Sequence, residues 1–337
     1  KVDAIGASAG MGLAAGLGGN ASLILIGSIF NDANSDIKNE LNANGQGTLA
    51  EINKLMTGNR LRTGETDGNI RAGDEGEYGV SGVSQAEITR VNQASNVDVI
   101  GFLNTVGQSG VSALVQDSTL DAGNDVSITA HSGDQIRINA GAGGIGAVSA
   151  GGTAGVVLMK NNLRAEVTGE SSVTATGNLV IDARSLNSNG GAPAVQVYSF
   201  QGSAGVATLG AAVALADVTN NLTARVGRGT TLNLLNAEGA VMITAVDETN
   251  ISTKAEGLSV GGATAGLVAA VAKRGGRIEA SVAQGGTPGA GTTLMSKGNL
   301  ILHSSLAGKI NAYSQAGTGG AGTVQGTVAE ATEESAV

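Results

Sequence analysis

Leu163-Arg164-Ala165-Glu166-Val167, with Gly177-Asn178-Leu179-Val180-Ile181-Asp182-Ala183 behind it, is one copy of a pattern that returns along the chain. The first piece reads x-Ala-x-Val. Its other copies are Ser112-Ala113-Leu114-Val115, Thr223-Ala224-Arg225-Val226 and Glu279-Ala280-Ser281-Val282, and the alanines stand 52, 59 and 56 residues apart. The second piece returns at Gly239–Ala245, at Gly298–Ser304 and, with one extra residue, at Gly123–Ala130. A third piece, rich in Gly and Ala, reads Ser8-Ala9-Gly10-Met11, Thr153-Ala154-Gly155-Val156, Ser203-Ala204-Gly205-Val206 and Thr264-Ala265-Gly266-Leu267. A weaker copy is Gly320-Ala321-Gly322-Thr323.

Each strand-like piece alternates apolar with polar residues, which is the period of a strand with one buried face. Gly, Asn and Asp bound the pieces and favour turns. No helical period runs through the repeats. Look-alike segments at a near-constant interval predict stacked units that bury a core only together. The expected fold is therefore all-β, a right-handed parallel β-helix, the hand being taken from the general rule for parallel crossovers. A unit of roughly 55–60 residues predicts about three coils of about 20 residues each, stacked about 4.8 Å apart. A propeller is the rival all-β reading, but blades carry aromatic signatures. This chain has three Tyr, three Phe and no Trp. A sandwich leaves the long period unexplained.

Composition narrows the function. Of 337 residues 55 are Gly, none is Cys, and 14% are charged, against about a quarter in ordinary domains. Without Cys there is no disulfide framework and no thiolate metal site. Two prolines exclude collagen, and 41% hydrophobic residues argue against a disordered polymer. A net charge of −9 disfavours nucleic acid, whose phosphates need Lys and Arg. The longest apolar run, Leu23-Ile24-Leu25-Ile26, is too short to span a bilayer. The chain opens on Lys1 with no signal-peptide pattern, so a piece of a longer protein is expected. The lack of Cys fits an extracellular bacterial protein.

The repeat is interrupted once. From Gly10 to Ala113 is 103 residues, where the corresponding gap elsewhere is 10 to 19. Roughly 85–90 extra residues thus sit between Ile24 and Gly110, in keeping with the tolerance of solenoid repeats for insertions. Residues 31–98 hold 11 acids and 6 bases. Thr48-x-x-Glu51 is a capping box, with Leu49, Ile52, Leu55 and Met56 on one helical face and a stop at Gly58. Ser84-x-x-Glu87 is another, with Ile88 and Val91 on one face; Ser95-x-x-Asp98 starts a further turn leading to Val99, Ile100, Phe102 and Leu103. Arg60 to Gly82 reads as loop. The expected organisation is coils at 1–24, a helical polar insertion on the solenoid's side at 25–110, and repeats at 111–337. Such insertions often bind partners; a lid or spacer is the plain alternative.

Four motifs suggest chemistry, and each has a structural explanation. Gly6-Ala7-Ser8-Ala9-Gly10 matches a nucleophile elbow, but its repeat mates Thr153, Ser203 and Thr264 make Ser8 one of a recurring set. Gly141-Ala142-Gly143-Gly144-Ile145-Gly146 matches a dinucleotide motif, with Glu166 beyond it, yet no helix is expected to open there. In x-Ala-x-Val the mates of Glu166 are Leu114, Arg225 and Ser281. His131 and His303 fall at different repeat positions, so no shared metal site is expected. Asp67, Asp74, Glu75 and Glu77 offer oxygen ligands that suit Ca²⁺, but their spacing matches neither calcium loop; a solvated acidic loop is expected. Polysaccharide enzymes also use β-helices, but need paired carboxylates and sugar platforms, and six scattered aromatics speak against that. No catalytic residue, cofactor or metal is expected.

The Gly/Ala-rich stretches, Asn161-Asn162-Leu163-Arg164-Ala165-Glu166-Val167, Asn220-Asn221 running on to Val226, and Gly-Asn-Leu-x-Ile-x-Ala together resemble the β-helical shaft of giant bacterial exoproteins. These are the filamentous-haemagglutinin-like adhesins of two-partner secretion, including the leukotoxin-type filamentous adhesins. The resemblance covers roughly residues 1–25 and 110–337. The family's N-terminal secretion domain is not seen here, which fits an internal segment; the insertion has no counterpart. The resemblance implies a non-enzymatic, extracellular or cell-surface shaft, contacting an unidentified host or bacterial surface ligand. A self-assembling fibre whose coil ends stack end to end is the alternative.

Overall fold

The computed structural model describes residues 2–11, 15–27, 60–63, 77–80, 110–187, 192–283 and 291–337. Every secondary element among them is a strand. In chain order these are β1 Val2–Met11, β2 Ala15–Gly27, β3 Arg60–Thr63, β4 Glu77–Val80, β5 Val111–Gln116, β6 Thr119–Ala122 and β7 Val126–Ser132. Then come β8 Ile136–Ile145, β9 Val148–Thr168, β10 Ser172–Ala175, β11 Leu179–Ser185, β12 Val195–Val226, β13 Thr231–Leu234 and β14 Ala240–Asp247. The last are β15 Ile251–Val282, β16 Thr293–Ser296, β17 Asn299–Leu306, β18 Ile310–Gly319 and β19 Gly322–Ala336. Their ladders are parallel. They form a nine-stranded sheet along β1-β8-β12-β15-β18 with β2, β5, β9 and β19, the four-stranded sheets β6-β10-β13-β16 and β7-β11-β14-β17, and the pair β3-β4.

The protein is a parallel β-solenoid, and two of the three sequence patterns are its rungs. Ala113, Ala165, Ala224 and Ala280 stack as partners in one column. Val126, Leu179, Val241 and Leu300 do the same in another. Each segment of a repeat pairs with the matching segment of the next repeat, so a repeat is one large rung and not the expected three coils. The reason is that each rung has two parts. One is a three-sided prism, as in residues 163–185, about as long as the expected coil. The other is a leaf, a long strand doubled back on itself. In β12, residues 195–205 form the leaf's first arm, the chain bends at Val206, and residues 207–219 return as the second arm before 222–226 become a prism wall. Ser199 Oγ on the first arm donates to Val213 O on the second at 2.6 Å.

Two hydrophobic cores follow from this shape. Leu163, Ala165, Val173, Leu179, Ile181 and their stacked mates fill the prism. Ile138, Val195 and Val197 of the first arm pack against Val157, Ala212, Ala214 and Val268 of the second. The Gly/Ala stretches serve the second core, because thin facing arms need small side chains. A Cβ at Gly155 would stand 2.8 Å from Cγ1 of Val197. Prism corners use left-handed backbone: Asp117, Gly169 and Gly229 have φ of 48°, 68° and 75° at one corner in successive rungs.

The small-residue pattern does not stack as the sequence implies. Ser203 pairs with Gly144 and Ser259 on the first arm. Thr153 pairs with Ala212, and Thr264 with Thr208, both on the second. Ser8 pairs with Ala142. Gly and Ala give a strand no distinct inward and outward sets, so their order says little about register.

The insertion has a definite address. Gly27 pairs with Lys160 and Val111 with Leu163. Residues 28–110 therefore stand where the neighbouring rung has only Asn161 and Asn162, and the ladder runs to Gly27, past the expected boundary at 24. The helices expected from Thr48, Ser84 and Ser95 lie outside the described residues, as do Asp67, Asp74 and Glu75. The stretch Arg60 to Gly82, expected as loop, contains the parallel pair β3-β4 with Leu61 opposite Tyr78. Leu61 and Thr63, opposite Tyr78 and Val80 at matched alternate positions, supply its strand signal, since Thr, Tyr and Val favour strands.

Candidate functional site

Three clusters of chemically capable side chains are built by rung stacking. The first lies at the waist between the two cores. Asn161 Nδ2 donates to Asn220 Oδ1 at 3.2 Å. Asn220 Nδ2 donates to Asp247 Oδ2 and to Thr249 Oγ1, each at 3.0 Å. Arg274, 3% exposed, donates through Nη1 to Thr249 O at 2.8 Å and meets Glu333 Oε2 at 2.5 Å. Outside the waist, Asn221 Nδ2 donates to Asn162 Oδ1 at 3.0 Å. The paired asparagines of the sequence are thus two ladders, one inside and one outside. They hold the leaf to the prism by satisfying polar groups that the bend buries.

The second cluster is on the outer face of the sheet β7-β11-β14-β17. Asp182 Oδ2 lies 2.6 Å from His131 Nε2, Arg184 Nε donates to Oδ1 at 3.1 Å, and Thr244 Oγ1 donates to Oδ1 as well. Burial would raise the Asp182 pKa, but the Thr244, His131 and Arg184 donors outweigh it and hold it below the ordinary value. A carboxylate saturated by three donors is a poor general base. Thr244 bonds Asp182 and not His131, so a hydroxyl–imidazole–carboxylate relay is not assembled. His303 stacks on Thr244, in the Asp182 column, while His131 stacks on Arg184. The two histidines do occupy different positions of the rung.

The third cluster is on the first arm's outer face. Tyr198, Lys254 and Tyr313 are consecutive partners in one column. Lys254 Nζ sits 5.5 Å from the Tyr198 ring centroid and 5.6 Å from that of Tyr313, a cation between two rings. Tyr198 OH donates to Glu256 Oε2 at 2.7 Å, and Lys254 Nζ lies 2.9 Å from Glu256 Oε1. Bonds from Lys254 and Tyr198 pull the Glu256 pKa down. Burial and the Glu256 bond push the Tyr198 phenol up to about 12. The aromatics that look scattered in sequence are in part gathered here, since Phe200 stands one column along, beside Glu256. Only the rung register brings them together, and the 56-residue offset of the x-Ala-x-Val alanines at 224 and 280 is the signal that gives it.

The remaining motifs resolve as ladder. Ser8 lies within the uninterrupted strand β1, with no strand-to-helix turn to raise its hydroxyl. Gly141 to Ile145 lie in β8, and β9 starts at Val148, so the phosphate-binding helix terminus is replaced by a bend between strands. Glu166 stacks on Leu114 and Arg225, and Arg225 on Ser281, as the repeat predicts; it pairs with Arg164 at 2.5 Å. A cleft of about 220 Å³, lined by Gly110, Val111, Ser132, Asp134, Asn161, Asn162 and Leu163, opens at the corner where the insertion leaves. Its one acid, Asp134, accepts from Ser132 Oγ at 2.6 Å. Among the described residues no three His, Cys, Asp or Glu converge on a point, and no helix is long and apolar enough to cross a membrane. Comparison with family models, curated proteins and solved structures finds no match.

Proposed function

We propose that this chain is a non-catalytic shaft segment of a large extracellular bacterial surface protein, a right-handed β-helix with an insertion at 28–110 carrying the contact function. The reading is carried by the register of Ala113, Ala165, Ala224 and Ala280, which makes one rung per repeat. Such a rod grows in length without enlarging its core, so it holds a contact point away from its base. The polar clusters favour the same reading: their members are spent on one another across rungs. Deleting residues 31–98 and measuring adhesion of particles coated with the protein tests it. Adhesion should fall while the β-rich circular dichroism spectrum persists. Adhesion equal to that of the full chain sinks the role given to the insertion, and depolymerisation of a glycan by the full chain sinks the non-catalytic reading.

One observation favours coil-to-coil assembly as a second reading. Leu300 and Leu302 are each 45% exposed on the outermost rung, in columns whose inner members Leu179, Ile181, Val241 and Ile243 are 0% exposed. An end face of this kind accepts another rung. Light scattering should show filaments that Leu302→Lys abolishes; particles of constant size at every concentration exclude this reading.

A further inference from the structure

The leaf has one closed face and one open face. On the second arm, Val156, Leu158, Val213, Leu215 and Val271 point away from the leaf's interior, yet are 0–2% exposed. On the first arm the outward side chains are uncovered. Phe200 is 40% exposed, Leu258 49%, Ile145 56% and Met11 82%, with Val206 at the bend 70% exposed. These residues fall into adjacent columns: Met11 stacks on Ile145, Phe200 on Glu256, and Leu258 on Gly202. Single exposed apolar residues are ordinary, but a contiguous field of them marks a contact surface.

The field's one acid is Glu256, in the Phe200 column, and Lys254 neutralises it at 2.9 Å. No Asp, Glu, Lys or Arg occurs in residues 4–31, 138–159, 185–216, 257–272 or 310–329, which supply the leaf rung after rung. The first arm's outward charges stay near its base, where Arg137 and the Lys254–Glu256 pair lie. The chain as a whole carries −9. Two copies therefore repel across most of their surface, and the leaf is the place where a copy meets its own duplicate without like charges.

The dimensions fit. The arm strands β1, β8 and β18 are each 10 residues long. At about 3.3 Å per residue that is roughly 33 Å, and the five strands of this face at about 4.8 Å give roughly 24 Å. The product, about 800 Å², is the share each partner gives to a standard interface. A flat ladder face packs naturally on another at about 10 Å.

We propose that the outward face of the leaf's first arm is a homophilic interface, on which a second copy of this chain packs side by side, each copy offering the same patch. This lateral contact is separate from any stacking of coil ends and needs only the fold, not the cellular setting proposed above. A glycan fits the face less well, because Lys254 occupies the space between the Tyr198 and Tyr313 rings. A bilayer fits less well too, since the face lacks Trp and a cationic rim.

Sedimentation equilibrium of the full chain, with and without sulfate, tests the proposal. A concentration-dependent dimer strengthened by sulfate is expected. Leu258→Lys and Phe200→Glu should each weaken it about tenfold or more, as loss of an interface anchor does. Leu302→Lys, at the solenoid's end, should leave it unchanged. The chain has no cysteine, so Val260→Cys gives a single thiol, 47% exposed on this face, whose disulfide should join two copies. That readout stands even if a charged variant fails to fold. A monomer at all concentrations overturns the proposal. So does association lost with Leu302→Lys but kept with Leu258→Lys, or a monomer that binds phosphatidylcholine vesicles through Leu258.

Discussion

Asn161 and Asn220 are 59 positions apart in the chain and joined by a side-chain hydrogen bond of 3.2 Å inside the protein. That bond ties two rungs where the leaf's second arm runs into the prism wall. The Asn220 amide also serves Asp247 and Thr249. Asn220→Ala leaves Asp247 Oδ2 and the Asn161 amide each short of a partner in a buried site. A loss of about 2–3 kcal/mol is expected, since each orphaned buried group costs about 1–3 kcal/mol. Urea unfolding of the variant checks it, and a midpoint equal to the parent's contradicts the role given to the ladder.

The middle of the prism should answer differently from its end. Leu222 is 0% exposed in the prism, between Leu163 and Ile278. Leu222→Ala should cost about 2–5 kcal/mol, as cavities in rigid cores do. Leu300→Ala, at a site 45% exposed, should cost well under half of that. Thermal melts of both variants, compared at equal protein concentration, decide whether burial grades along the axis this way.

Glycine in the leaf is a packing requirement at some positions and not at others. Gly155→Val drives a side chain into Val197 and Ile138, whose atoms lie 2.8 Å and 3.0 Å from the site of its Cβ. A cost of about 1–3 kcal/mol is expected. Gly152→Ala meets nothing within 4 Å and should be neutral or slightly stabilising. If both variants melt alike, the close approach of the arms is not what selects glycine.

Titration should reveal the outer ladders at opposite ends of the pH scale. The folded pKa of Asp182 lies below its ordinary 3.8, so its contribution is complete above that value and is lost as pH falls through the lower folded one. Tyr198 is raised from 10.0 to about 12, so its contribution is present below pH 10 and is lost as pH rises toward 12. Asp182→Asn should remove part of the acid limb of stability, and Tyr198→Phe part of the alkaline limb. Denaturation midpoints at graded pH measure both, and an alkaline limb unchanged in Tyr198→Phe would falsify the second assignment.

The prism was legible in the sequence because its residues are distinctive. Ala165 and Val167 alternate with charged Arg164 and Glu166, so a one-residue slip would bury charge, and the pattern fixes its own alignment. The leaf carries no such penalty. Thr153-Ala154-Gly155 and Ser203-Ala204-Gly205 read alike, yet they lie on opposite arms, because small residues fit either face equally. The bend at Val206 has no Pro or Asn to announce it, so one coil of leaf and prism reads as several. The Tyr198–Lys254–Tyr313 stack lies in the leaf, so it emerges only when the prism offsets of 56 residues (Ala224 to Ala280) and 59 residues (Gly239 to Gly298) are carried into it.

Gly27 and Val111 enter and leave the ladder at positions that the next rung joins with two asparagines. The corner thus works as a port: the chain departs and returns in register with β9 of the following rung. Asn220-Asn221 and Gly276-Arg277 occupy the same corner in later rungs. A foreign module grafted between Asn220 and Asn221 should ride on the rod as residues 28–110 do, so that what the shaft displays, and at what height, can be exchanged without redesigning the shaft.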